Sequence, residues 1–295
     1  MGSNHNHNDL KSFKWAFIIN LIFTVIEIIG GYISNSIAIT SDAIHDLGDS
    51  ICLGFAYWSE KKAKDSERSD VYTYGMNRLP LVSALLNALI LVSGSIGILV
   101  YSISRLNDPP EVHADKMIFI AILGVAFNTW AALKLHHNEG LNAKVASLHL
   151  LEDVLGWVAV LLGSIVIYYT GLSIIDPILS IVIACYILYN AFKNIREAYY
   201  IIMQKTPPEL SSEHITKELM SINGINDVHD IHLWTLEGSK HILSMHVIVD
   251  EKSDSEQFIR IKREIREKLK SFGNIHATIE FEWEAEDCYD RKLSY

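Results

Sequence analysis

Before residue 200 the chain is divided into six long apolar stretches, at about Lys14–Ile33, Ser36–Trp58, Leu79–Ile103, Met117–Leu135, Val145–Thr170 and Ile174–Ile195. Each reaches or approaches the roughly 20 residues that cross hydrocarbon as a helix. Beyond Thr206 no comparable stretch follows, so the last ninety or so residues read as a soluble domain. The expected architecture is an α-helical membrane protein with six transmembrane helices and a C-terminal α+β domain. Its parts are a His-containing N-terminal tail (residues 1–12), a six-helix transmembrane domain (13–205) and a C-terminal domain (206–295).

Two of the stretches carry charge that a bilayer does not tolerate without a reason. His45 and Asp49 lie in the second, His149 and Asp153 in the fifth, each as His-x-x-x-Asp. A spacing of four sets imidazole and carboxylate one turn apart on the same helix face, so two such helices can aim two nitrogens and two oxygens at one point. That set matches a tetrahedral divalent cation, zinc first. Two neutral imidazoles and two carboxylates carry −2, which one divalent ion neutralises. When the ion leaves, protons are the available replacement, because ligands must be deprotonated to bind. The same four residues therefore supply a mechanism for exchanging metal against protons.

The second stretch also holds Asp42 and Asp46, completing a stripe at i, i+3, i+4 and i+7. These two read as partners of a neighbouring helix or of solvent. Glu27, Asn20 and Asn128 read as interhelical hydrogen-bonding groups, and Asp176, before Pro177, as a cap on the sixth helix. Glu152 has no assignment. His113, His136 and His137 fall near membrane edges and read as solvated.

Lys61, Lys62, Lys64, Arg68 and Arg78 crowd the connection between the second and third stretches, against only Arg105 and Lys116 between the third and fourth. With Lys11, Lys14, Lys134, Lys144, Lys193 and Arg196 on the same side as the first group, the positive-inside rule places both termini in the cytoplasm. The first stretch lacks a small-residue cleavage site and reads as a retained span. Of the net charge of −10, the segment from Thr206 contributes −7. An acidic soluble domain suits cations and excludes nucleic acid as a partner. Cys52, Cys185 and Cys288 show no paired spacing, so no disulfide framework is expected.

Pro207-Pro208 stops the sixth helix. Beyond it the pattern predicts a helix (Glu209–Ile222), a strand (Asn226–Leu236), a turn, a strand (His241–Asp250), a helix (Asp254–Phe272) and a strand (Ile275–Trp283), in the order αββαβ. Alternation in the last strand sends Ile275, Ala277, Ile279, Phe281 and Trp283 to the core. It leaves His276, Thr278, Glu280 and Glu282 on the other face. His229, His232, His241, His246 and His276 lie on or beside these strands.

The run Glu27–Asp49, the loop Tyr72–Arg78, the His149/Asp153 pair and Val228-His-Asp-Ile-His-Leu-Trp234 together resemble the cation diffusion facilitator family, over about residues 10 to 288. The resemblance implies a homodimeric, six-span metal/proton antiporter with a ferredoxin-like cytoplasmic domain, exporting zinc or a related ion. It places the transport ligands on His45, Asp49, His149 and Asp153. Family members with two His and two Asp there resemble zinc transporters, some of which also move cadmium or cobalt; the sequence leaves zinc, cadmium, cobalt and iron open. It also implies a regulatory metal site at His229, His246 and Glu282 and a second one at His232, His276 and Cys288. His5 and His7 either reach a neighbouring tail site or act as loose metal collectors. Tyr72, Met76 and Asn77 stand where many relatives have a loop histidine, so that loop site is expected to be absent. Arg78 fits one half of an interlock between the domains, but Met203 occupies the other half. The short connection after the fourth span points to a bacterial inner membrane.

An intramembrane enzyme is the competing class. The chain has no His-Glu-x-x-His, and four protein ligands leave no position for a catalytic water. A metal sensor would need no six-span, proton-exchangeable site.

Overall fold

The computed structural model describes the backbone of residues 5–65, 70–136, 141–250 and 254–284; within these, side chains of 5–16, 19, 52–53, 56, 59–61, 63–65, 134–136 and 141–150 lie outside the description. Six helices come first: α1 (His5–Ser34), α2 (Ile37–Asp65), α3 (Leu79–Ser104), α4 (Ala114–His136), α5 (Leu141–Thr170) and α6 (Ile175–Ile202). Then follow α7 (Ser212–Met220), β1 (Ile225–Thr235), β2 (His241–Val249), α8 (Ser255–Lys270) and β3 (Ile275–Trp283). The chain separates into two compact units, Met1–Glu67 with Val82–Ile195, and Arg68–Leu81 with Arg196–Tyr295.

Among the described residues, four helical segments are long and apolar enough to cross a membrane: Leu79–Ser104, Ala114–Leu133, Leu151–Thr170 and Ile175–Ile202. Asn20–Ser34 of α1 is a shorter apolar segment. α2 carries an acidic stripe that includes Asp42, Asp46 and Asp49.

α1 and α2 form a hairpin around a two-residue turn. A Cβ on Gly31 would stand 2.5 Å from Thr40 Oγ1, so the two helices can meet this closely only through glycine. Further along, the Asn20 amide donates to the Asp46 carbonyl and to Ser50 Oγ, both at 3.1 Å. α4 and α5 meet where the fully buried Trp157 lies across Gly124, whose Cβ would come within 2.2 Å of the indole. Phe23 of α1 stacks on Phe127 at 4.4 Å and meets Trp157 edge-on at 5.9 Å. With Ile39, Met117, Ile120 and Val160 these rings make one apolar core joining α1, α2, α4 and α5. Leu91, Ile187 and Ala191 make a separate contact between α3 and α6, with Ser102 donating to Ser180 at 3.0 Å.

The second unit has the αββαβ order read from the sequence. β1 and β2 are antiparallel and β2 and β3 parallel, in the order β1-β2-β3. α7 and α8 contribute Ile215, Leu219, Ile261, Ile265 and Leu269 to a core with Leu243, Met245 and Val247 of the central strand. α7 is shorter than the expected Glu209–Ile222, because Ser211 caps it and accepts from His214 N–H at 3.3 Å. Asp254 does the same for α8, accepting from Gln257 N–H at 2.8 Å. The alternation expected in β3 holds through Phe281 and then reverses: Glu282 is buried and Trp283 exposed. Two histidines close over Glu282, which explains its burial.

Candidate functional site

On α2, His45 Nε2 stands 3.6 Å from Asp49 Oδ2, both side chains nearly buried, as the one-turn spacing requires. Asn87 of α3 donates to the other oxygen of Asp49 at 3.4 Å. Asp46 is buried on the side facing α1, where the fully buried Glu27 lies against it and within electrostatic reach of Asp42. Asp153 of α5 is within electrostatic reach of Asp42, Asp46 and Glu27. The acids of α1, α2 and α5 therefore gather in one region of the first unit. His149 sits on α5 one turn before Asp153, and its side chain is outside the described residues. Such a concentration of buried negative charge is costly without a cation or protons to balance it.

Glu27 was expected as an interhelical hydrogen-bonding group, and its place against Asp46 of α2 ties it to the acid cluster. Asn87 is a residue that sequence reasoning missed; the available signal was a single amide within the apolar run of α3. Asp176 corrects an expectation. Its carboxylate does not cap α6 but accepts from Ser36 Oγ–H (2.5 Å) and from the N–H groups of Ile37 (2.6 Å) and Ala38 (3.3 Å), at the start of α2.

In the second unit the strand register assembles a further cluster. His229 pairs across with His246, and His246 with Glu280, which puts Glu282 two residues along on the same face. Glu282 lies between the imidazoles: Oε1 is 2.7 Å from His246 Nδ1 and Oε2 is 3.4 Å from His229 Nε2. One donor atom from each of the three residues lies within 4.8 Å of the others. The buried Glu282 Oε2 accepts no hydrogen bond. Two imidazoles and a carboxylate with one orphaned oxygen fit a metal such as zinc. Asp230 and Glu280 each bring an oxygen within 3.7 Å of His246 Nε2.

The register slips by one residue between His229 and His232, and Asp230 within this bulge takes a left-handed backbone (φ 47°). This conformation turns the Asp230 carboxylate to His232 Nε2, at 2.9 Å. His276 is on the opposite edge strand, with β2 between it and His232, and its ring meets Tyr74 edge-on at 5.9 Å. The structure thus gives His232 and His276 different neighbours. Cys288, the third residue of that set, is outside the described residues, as is the ring of His136.

Apolar helices enclosing a His/Asp/Glu cluster, joined to a small α/β domain with a donor cluster of its own, define a membrane protein that handles cations. Residues 14–203 match the cation efflux transmembrane domain, and residues 207–284 match the cytoplasmic domain of cation efflux proteins. The chain belongs to the cation efflux, or cation diffusion facilitator, family: it is a metal cation efflux transporter and not an enzyme. It is 32% identical to the cadmium, cobalt and zinc/H(+)-K(+) antiporter of Bacillus subtilis, over 97% of this chain and 93% of that one. It is 34% identical to the zinc transporter ZitB of Pectobacterium atrosepticum, over 100% and 92%. A solved structure of CzrB in its zinc form matches 29% of this chain and 97% of its own at 27% identity, with a TM-score of 0.25.

Proposed function

We propose that the protein exports a divalent metal, zinc first, from the cytoplasm in exchange for protons. His45, Asp49, His149 and Asp153 hold the ion between α2 and α5. The observation that carries this reading is the gathering of Asp153 with the α2 stripe around a His45–Asp49 pair that is already one turn apart. The names of the relatives support zinc, cadmium or cobalt as cargo and protons as the counter-ion; iron fits the same donors. The ion binds deprotonated ligands from one side, and the emptied site returns protonated. α1 and α2 complete six spans, with α2 tolerated in the bilayer because its acids face protein and cargo.

The protein works as a homodimer in the cell membrane, a bacterial inner membrane, with both termini in the cytoplasm. Its divisions are 1–12, 13–205 and 206–295. The cytoplasmic domain, ferredoxin-like in element order, binds a regulatory metal at His229, His246 and Glu282. Metal held there links the cytoplasmic metal level to the state of the transport domain. The test is zinc uptake by sealed vesicles containing the purified protein under an imposed pH gradient. Uptake that follows the gradient and disappears in Asp49→Ala and Asp153→Ala is expected. Gradient-independent flux, or unchanged flux in both variants, overturns antiport through this site.

A further inference from the structure

The first turn of α2 has an unusually complete set of hydrogen bonds, and half of them come from another helix. The opening N–H groups of a helix have no intrahelical acceptor. Here Ser36 Oγ accepts from Ile39 N–H at 3.2 Å and its hydroxyl donates to Asp176 Oδ1. The Asp176 carboxylate takes the N–H groups of Ile37 and Ala38. Thr40 N–H, bonded to the Ser36 carbonyl at 3.3 Å, then starts the regular ladder. α2 has no acidic residue in its own first turn, so α6 supplies the negative charge that its positive end favours. Asp176, Ser36, Ile37 and Ala38 are all buried.

The same corner is tied on two other sides. His113 N–H donates to the Ser34 carbonyl and the Asn35 amide to the Glu111 carbonyl, both at 2.9 Å, which fastens the α1–α2 turn to the segment before α4. Asn35 itself holds a left-handed backbone (φ 53°) to make that turn. The metal-binding end of α2 is tied to other helices: Asn20 of α1 donates to the Asp46 carbonyl and Ser50, and Asn87 of α3 to Asp49.

We infer that Asp176 is a permanent cap across helices, which fixes the start of α2 to α6 through the whole transport cycle and makes that corner the pivot for the metal-carrying turns. This rests on the reading that α2 carries the ion. Opening the corner would leave a carboxylate and two N–H groups buried without partners, a larger cost than swinging a helix about a held end. At 1.5 Å per residue, His45 lies about 12 Å and Asp49 about 18 Å from Ile37, so a swing of about 10° carries Asp49 about 3 Å. That displacement is enough to separate α2 ligands from those on α5 while the cap stays closed. Asp176 touches neither cargo nor ligand and is a positioning residue.

The test begins with the wild-type full-length protein. Amide exchange over residues 35–41 is compared in the zinc-loaded and zinc-free states. The Ile37 and Ala38 amides should stay equally protected in both; a loss of protection of about tenfold or more in either state shows a cap that opens, and the inference fails. In vesicles, Asp176→Ala should lower maximal zinc flux about tenfold with KM for zinc within about twofold, and Asp176→Asn, which keeps a carbonyl acceptor, should recover part of it. Unchanged flux from folded Asp176→Ala also overturns the inference. If Asp176→Ala does not fold, the exchange comparison decides alone. Failure of transport-site binding would show instead as unchanged flux in Asp49→Ala, a separate outcome from either of these.

Discussion

In the C-terminal domain, three donors are set by strand register and stand within 4.8 Å of one another. In the membrane domain, His45 and Asp49 share one helix at 3.6 Å, and their proposed counterparts ride on another. Neighbouring strands are held about 4.8 Å apart by their own hydrogen bonds, so a site built across them is pre-organised and cannot easily be pulled open. A site split between two helices opens when one helix swings, and it then exposes a charge that only protons can offset. The first arrangement suits sensing and the second suits release.

The largest expected effect breaks the membrane side alone. Asp49→Ala or Asp153→Ala should lower vesicle zinc uptake at least about a hundredfold, because the remaining ligands hold an unbalanced site. His246→Ala should keep most basal uptake in the same assay. Equal losses in all three would erase the distinction between the sites.

The cytoplasmic side is tested next. In a protein already carrying Asp49→Ala, His246→Ala or Glu282→Gln should weaken the remaining zinc binding by about 10- to 100-fold in calorimetry. No change would remove the regulatory assignment. A smaller effect is expected from Asn87→Ala, which removes the 3.4 Å donor to Asp49 and should raise KM for zinc about threefold to tenfold without abolishing flux.

The smallest effect belongs to the surface joining α7 and α8. The Lys268 ammonium, 2.7 Å from Glu218, holds its carboxyl below the ordinary value of 4.5. Because the folded value is depressed, the contribution is full above about pH 4.5 and is lost as pH falls through the lowered value. Glu218→Gln should flatten the acid-side dependence of thermal unfolding slightly and leave zinc binding by His246 unchanged.

Much of this was legible in the sequence. Apolar runs and their punctuation located α1 to α6, and period-two alternation located β3 to the residue. The His45–Asp49 pair was legible because a one-turn spacing fixes relative position on a single helix. What escaped depended on partners distant in the chain. Asp176 sits 140 positions from Ser36, and nothing local separates a carboxylate that caps its own helix from one that caps another. Asn87 became informative only when α3 was laid against α2. Periodicity could not anticipate the burial of Glu282, because it follows from His229 and His246, on other strands, closing over it. The bulge at Asp230 was signalled only by one residue type that tolerates a left-handed backbone, inside a run that otherwise reads as strand.

The most direct measurement is zinc stoichiometry and affinity of the full-length protein with the cytoplasmic cluster disabled by His246→Ala, before and after adding Asp153→Ala. One zinc per chain, lost on removing Asp153 although His45 and Asp49 are intact, is the result expected if α2 and α5 share one ion. Undiminished binding after Asp153→Ala would mean that α2 holds its ion without α5, and would contradict the account.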